Sequence, residues 1–306
     1  MSTGQSNLLG ILHERVDALF KDGKIDEARR VAQTALESAR RASSADPENR
    51  VELVIALETL GNLSRHLGES DAAEALYWEA IEYLQQDGGD VSQVARIESS
   101  LAGLYDFGQR EEEAIPLYEH AIELFESTDP PMLLEAANLR NNLAMIYKGA
   151  GLNENAEEHY LAAISTFEKA YGHNNEEVAA VYNNLGALYY QSGYQDQARE
   201  MHLTALEIRR VLFGEDHADV AQSHSNLALV YHELGDGPSC RRAFEDSLAI
   251  LERHVAEDIE DYSVVAENYA DLLRLSGQEK KAAAIDKKVQ KILRKQSRKG
   301  GIFSRV

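Results

Sequence analysis

The residues of this chain most capable of chemistry are ten histidines, one cysteine and a large excess of carboxylates. Catalysis or metal binding would need them at fixed spacings. His232-Glu233 is not followed by the second histidine of an HExxH zinc site, and Gly235 interrupts the helix there. His217 and His224 do not have the i, i+4 spacing of helical ligands, and His217 falls in a loop. Cys240 takes a slot of the internal repeat that alanine fills in six of seven copies, so it reads as packing; no adjacent cation or base would activate it. Gly149-Ala150-Gly151 has no third glycine and no strand before it, which excludes a dinucleotide loop. Acid runs such as Glu111-Glu112-Glu113 suit helix starts and solvent faces. The pattern names no catalytic residue, no metal site and no cofactor, and it does not read as an enzyme.

A different set of side chains recurs with a period. Asn142, Asn184, Asn226 and Asn268 are 42 residues apart, and Thr59 and Ser100 hold the matching places upstream. The same interval separates Tyr105, Tyr147, Tyr189 and Tyr231. Downstream in each copy, small residues lie seven apart: Ala28/Ala35, Ala73/Ala80, Ala114/Ala121, Ala156/Ala163, Ala198/Ala205, then Cys240/Ser247 and Ala282/Val289. Seven residues is about two helical turns, so each pair shares one face and lets two helices approach closely. Between the helices of each copy stands a turn glycine: Gly23, Gly68, Gly108, Gly151, Gly193, Gly235 and Gly277. Pro116 is expected in the first turn of a second helix, where its missing N–H costs little. Seven helix–turn–helix repeats follow, over residues 7–45, 48–88, 90–129, 131–172, 173–214, 215–256 and 258–295. They form one array over 1–295, ahead of a basic flexible tail at 296–306.

The order of small residue, aromatic, turn glycine and paired alanines resembles the tetratricopeptide repeat (TPR). The 42-residue period, with linkers such as Tyr171-Gly172-His173-Asn174-Asn175-Glu176 and Phe213-Gly214-Glu215-Asp216-His217, is similar to the kinesin light chain type. This resemblance implies an all-α, right-handed TPR superhelix, or α-solenoid, whose first helices line a concave surface. Motor-linked light chains begin with a heptad coiled coil. No sustained heptad register is present here, and repeat one begins almost at once, so motor binding is not expected. The stand-alone form is similar to bacterial kinesin light chains, which implies a bacterial tubulin filament as the protein partner.

In TPR proteins generally, asparagines placed like Asn142, Asn184, Asn226 and Asn268 clamp the backbone of an extended peptide, using one donor and one acceptor. The alternative reading is that they bridge adjacent repeats. Asn138 lies one turn before Asn142, and Lys148, Tyr190, His232 and Arg274 each lie six residues after the asparagine of the same helix. Lys148 and Arg274 either receive an acidic partner or relieve an acidic groove. A second function class, a peptide-sensing TPR regulator or chaperone-like binder of an extended peptide, would use the same face.

Charge divides the chain of 306 residues. The net charge is −21, yet residues 279–306 carry ten Lys/Arg against Glu279 and Asp286, a balance of +8 that leaves −29 for the rest. Such an acidic body repels phosphate backbones, so nucleic acid is not an expected partner. The basic end follows an amphipathic helix: Ile285, Val289, Ile292 and Leu293 on one side, Lys287, Lys288, Lys291, Arg294 and Lys295 on the other. Ser297, Arg298, Lys299 and two glycines are expected to end it, before Ile302, Phe303 and Arg305. Three readings remain open: a solubilised capping helix, docking on an anionic lipid membrane, or a grip on an acidic protein surface. One cysteine, no long apolar run and no secretory h-region fit a cytoplasmic protein, with the inner face of the plasma membrane as the peripheral alternative.

Overall fold

The computed structural model describes the backbone of residues 3–46, 50–86, 89–254 and 259–303, and the side chains of 11, 13–46, 50–86, 89–254 and 259–294. Among these residues the fold is all-α: fourteen helices and no strand. The chain divides into two compact units, Met1–Ala150 and Gly151–Val306, with the boundary at the turn inside the fourth repeat. The first unit holds α1 (Thr3–Lys21), α2 (Ile25–Ala45), α3 (Arg50–His66), α4 (Ser70–Gln86), α5 (Val91–Phe107), α6 (Glu111–Ser127) and α7 (Leu133–Gly149). The second holds α8 (Asn153–Tyr171), α9 (Glu176–Gln191), α10 (Gln195–Phe213), α11 (Ala218–Glu233), α12 (Gly237–His254), α13 (Ile259–Leu275) and α14 (Glu279–Phe303). Within each unit, successive helices pack on one another as a stack.

First and second helices of a repeat bury different arcs, and the sequence dictates which. Second helices bury one narrow stripe: Ala73, Tyr77, Ala80, Ile81 and Leu84 on α4, and Ala156, Tyr160, Ala163, Ile164 and Phe167 on α8. Those spacings of three and four trace a single helical face. First helices lie between two second helices and bury a wider arc, as α11 does with Val220, Ala221, Ser223, His224, Ser225, Leu227, Ala228 and Val230. The helices cross where a small residue meets a ring. A Cβ added to Gly61 would lie 2.8 Å from the Tyr77 ring, and one added to Gly186 would lie 2.8 Å from the His202 ring. The paired small residues are buried as their register predicts: the first member of every pair has at most 7 % of its surface exposed, and Ala35 in repeat one is half-buried.

Helix ends show local chemistry at work. Asn175 caps α9 by accepting from the N–H groups of Glu177 and Val178, and Asp90 caps α5 through Ser92. His217, excluded above as a metal ligand, caps α11 by accepting from the Asp219 N–H at 3.2 Å, and its ring stacks on Phe213. Three expectations are corrected. Pro116 is the sixth residue of α6, beyond the first turn, so its missing N–H removes the bond to the Glu112 carbonyl while the helix continues. Helix α14 runs to Phe303, through the segment predicted to end it; glycine weakens a helix but, unlike proline, keeps its donor, so the ladder passes Gly300 and Gly301. The expected tail is therefore helical as far as Phe303, and residues 304–306 lie outside the described residues.

The third correction concerns a turn. Six turn glycines, Gly23, Gly68, Gly151, Gly193, Gly235 and Gly277, take positive φ of 71–80°, but Gly108 does not. It stands one residue early in the 42-residue ladder, so Gln109 occupies the left-handed position with φ 57°. A side chain there costs about 1–2 kcal/mol, part of which glycine returns through its freer unfolded chain. Gln109→Gly is expected to raise stability by about 1 kcal/mol, read as a higher denaturant midpoint at unchanged slope.

Candidate partner-binding faces

The asparagine ladder lies on the first helices, and the two compact units treat its members differently. Asn142 on α7 is half-buried near the Tyr118 hydroxyl, whose pKa burial pushes up to about 12. Asn184 is half-buried on α9. Asn226 donates from Nδ2 to Oδ1 of Asn183 at 2.8 Å, which ties α11 to α9. Bridging between repeats is thus one job of Asn226. It also faces a cleft: Asn226, Gln222 and Ser225 of α11 line a space of about 210 Å³ together with Asp261, Val264 and Asn268 of α13. The structure therefore brings Asn226 and Asn268 to one site with a carboxylate beside them.

The flanking residues vary in their availability. Asn138 is exposed and donates back to the Leu134 carbonyl at 3.0 Å. Lys148 is half-buried, and desolvation lowers its ammonium pKa. Burial, and then the Glu233 carboxylate, push the Tyr190 hydroxyl pKa up; His232 is half-buried nearby in sequence. Arg274 is committed within the fold, bridging Asp271 on its own helix and Asp286 on α14, each at 2.5 Å. Its guanidinium fastens α14 to α13. Lys288 likewise braces α14 against Glu252 of α12 at 2.7 Å. Lys287, Lys291 and Arg294 are exposed. The side chains of Lys295, Arg298, Lys299, Ile302 and Phe303, and all of Arg305, lie outside the described residues. No helix is long and apolar enough to cross a membrane among the described residues.

The tyrosine ladder has partners that the sequence pattern does not reveal. Tyr105 donates to Glu74 at 2.8 Å, Tyr147 to Glu119 at 2.6 Å and Tyr189 to Glu157 at 2.5 Å. Each bond joins the end of a first helix to the second helix of the preceding repeat. Glu74 and Glu157 directly follow the first alanine of their pair; Ile115 holds that place in repeat three, and Glu119 one turn on substitutes. In the sixth repeat the ladder tyrosine is Tyr231, and the matching acceptor position holds Arg199. Burial and the adjacent carboxylates raise all three hydroxyl pKa values, that of Tyr147 to about 12.

A buried polar cluster in the second unit is likewise absent from the sequence reading. Arg209 is 7 % exposed and donates to the Asp219 carbonyl at 3.0 Å and to Ser223 Oγ at 2.8 Å. His202, 2 % exposed, occupies the ring slot held elsewhere by Tyr77, Tyr118, Tyr160 and Phe244, so the register alone could have found it. Desolvation, and then the Arg209 charge, push the His202 pKa down to about 4. A neutral histidine in the fold and an ordinary one in the unfolded chain make stability complete above pH 6.5 and progressively lost as pH falls through 4. His202→Tyr is expected to remove roughly 3 kcal/mol of that acid sensitivity, measured as denaturant midpoints between pH 7 and 4. An unchanged pH slope would place the sensitivity elsewhere.

Comparison with known proteins agrees with this architecture. The family model described as tetratricopeptide repeat matches residues 52–127, 135–210, 195–253 and 219–295. No curated protein matches the chain. Among solved structures, BtubC (BKLC) from P. vanneervenii is 33% identical, with a TM-score of 0.66, covering 75% of this chain and 92% of that one. A putative kinesin light chain of Podospora anserina with nearly identical TPR-like repeats is 20% identical, with a TM-score of 0.56 over 68% of this chain and 98% of its own. The quorum sensor NprR of B. thuringiensis is 13% identical, with a TM-score of 0.57 over 92% of this chain and 86% of its own, a likeness of fold alone. With its family model, its period and a 33% identical relative in agreement, the chain belongs to the tetratricopeptide-repeat family, in its kinesin light chain type.

Proposed function

We propose that this TPR protein is a non-enzymatic adaptor that binds a bacterial tubulin filament through its repeat surface and links it to an anionic membrane through its basic C-terminus. The observation that carries the filament half is the 33% identity to BtubC across 92% of that chain. The fold supports the scaffold class: stacked helix pairs present extended rows of side chains and few enclosed sites. The membrane half rests on charge. Exposed Lys287, Lys291 and Arg294 on α14 lead into the Arg298, Lys299, Ile302 and Phe303 segment, and each basic residue near an anionic surface contributes about 1 kcal/mol. An extended peptide held in the α11–α13 cleft by Asn226 and Asn268 is the second reading, favoured by their convergence there.

Two binary assays test the adaptor. The purified chain is expected to co-pellet saturably with polymerised bacterial tubulin, and Asn184→Ala with Asn226→Ala to weaken that binding about tenfold or more. A melting curve checks the loss of the Asn226–Asn183 bond. Unchanged affinity in a folded double variant would discredit the asparagine face as the filament contact. In flotation, the full chain is expected to rise with anionic but not neutral liposomes, less at high salt, and a chain ending at Lys295 to stay down.

A further inference from the structure

The first unit contains a completed version of a site that the second unit leaves open to solvent. In the first, the Arg110 guanidinium lies 3.9 Å from the centre of the Tyr105 ring. It donates to Glu74 at 2.7 Å and forks onto Glu113 with two bonds of 2.6 Å, while the Tyr105 hydroxyl donates to the same Glu74. A planar cation is thus held by a ring face and two carboxylates, which satisfies its charge, its donors and its weakly hydrated faces together.

In the second unit the same register gives Tyr189 for Tyr105 and Glu157 for Glu74, with the same hydroxyl-to-carboxylate bond. Two parts differ: Tyr194 stands where Arg110 stands, five residues after the ladder tyrosine, and Gln197, a neutral amide, stands where Glu113 stands. The Tyr194 ring meets Tyr189 edge-on at 6.3 Å, and Tyr194 is 56% exposed. Between α8, α9 and α10 this leaves a cleft of about 610 Å³, lined by Glu154, Glu157, Tyr189 and Tyr194 among others. Among the described residues that line it, none is basic. A carboxylate has about four acceptor sites, and Tyr189 uses one of those on Glu157.

We propose that this cleft binds an arginine side chain presented by a protein partner, its guanidinium meeting the tyrosine rings and Glu157 as Arg110 meets Tyr105 and Glu74. Charge complementarity favours the occupant, since the body outside residues 279–306 carries −29. Arginine rather than lysine fits, because in the first unit the guanidinium meets the ring with its flat face while its N–H groups reach Glu74, the two partners that Tyr189 and Glu157 match. The assignment rests on the adaptor reading only for the source of the arginine, and its test needs no filament or membrane.

The probe is the tripeptide acetyl-Gly-Arg-Gly-amide, titrated into the full chain with labelled tyrosines and followed by NMR. Its neutral citrulline analogue is the control. Arginine peptide is expected to shift the Tyr189 and Tyr194 signals, with citrulline peptide binding about tenfold more weakly. Tyr194→Arg is expected to supply the cation from within, raising the melting temperature and abolishing the peptide shifts. Glu157→Gln, which keeps an acceptor for Tyr189, is expected to weaken the arginine peptide alone and keeps the proposal testable if Tyr194→Arg does not fold. Equal response to both peptides, or none, overturns the proposal. So does a shift of the same signals on diluting the chain without peptide, which would give the cleft to the basic segment of a second copy.

Discussion

The structure depends on one steric constraint: helices of a repeat can close on each other only where a small residue faces a ring. Gly61 against Tyr77 and Gly186 against His202 leave no room for a methyl group without displacement of the ring. The alanine pairs of the second helices impose the same condition on the neighbouring repeat, with Ala73, Ala80, Ala114, Ala121, Ala198 and Ala205 fully buried. Adding atoms to such a contact typically costs about 1–3 kcal/mol. Close packing brings the hydroxyls of Tyr105, Tyr147 and Tyr189 within reach of carboxylates on the preceding repeat. The polar edge ladder is therefore a consequence of the apolar crossing, and both recur because the sequence recurs.

Periodic packing also explains where variation is tolerated. The crossing positions hold alanine, glycine, serine or cysteine and little else, whereas the acceptor of the ladder tyrosine moves one turn, to Glu119, and gives way to Arg199. Substitutions at the edge change what a repeat presents without changing how it stacks. Arg110 in one unit and Tyr194 in the other differ in this way, on the same scaffold of tyrosine and glutamate. For a binding protein, this separates the residues that hold the fold from those that select a partner.

The fold is legible in the sequence because its signal is periodic: the 42-residue ladders of asparagine, tyrosine, glycine and small residues specify helix, turn and buried face together. Deviations from the ladder are harder to read. Gly108 has the composition of a turn glycine, but its place one residue early hands the left-handed conformation to Gln109. Arg274 has the sequence position of a partner contact, but two aspartates, one of them on another helix, hold it. Asn226 admits two readings, and its bond to Asn183 shows that one asparagine bridges repeats while still lining a cleft. Tyrosine–glutamate pairing and the bond of Arg209 to Ser223 leave no such signal because they join residues on different helices, which spacing along one helix does not reveal.

The adaptor account requires the two surfaces to act in one molecule at one time. The direct measurement is recruitment of fluorescent bacterial tubulin filaments to a supported anionic bilayer, followed by surface-selective microscopy with and without this chain. The account predicts filaments on the bilayer with the full chain and none with a chain ending at Lys295. Filaments remaining in solution with the full chain, under conditions where it binds filament and lipid separately, would contradict it.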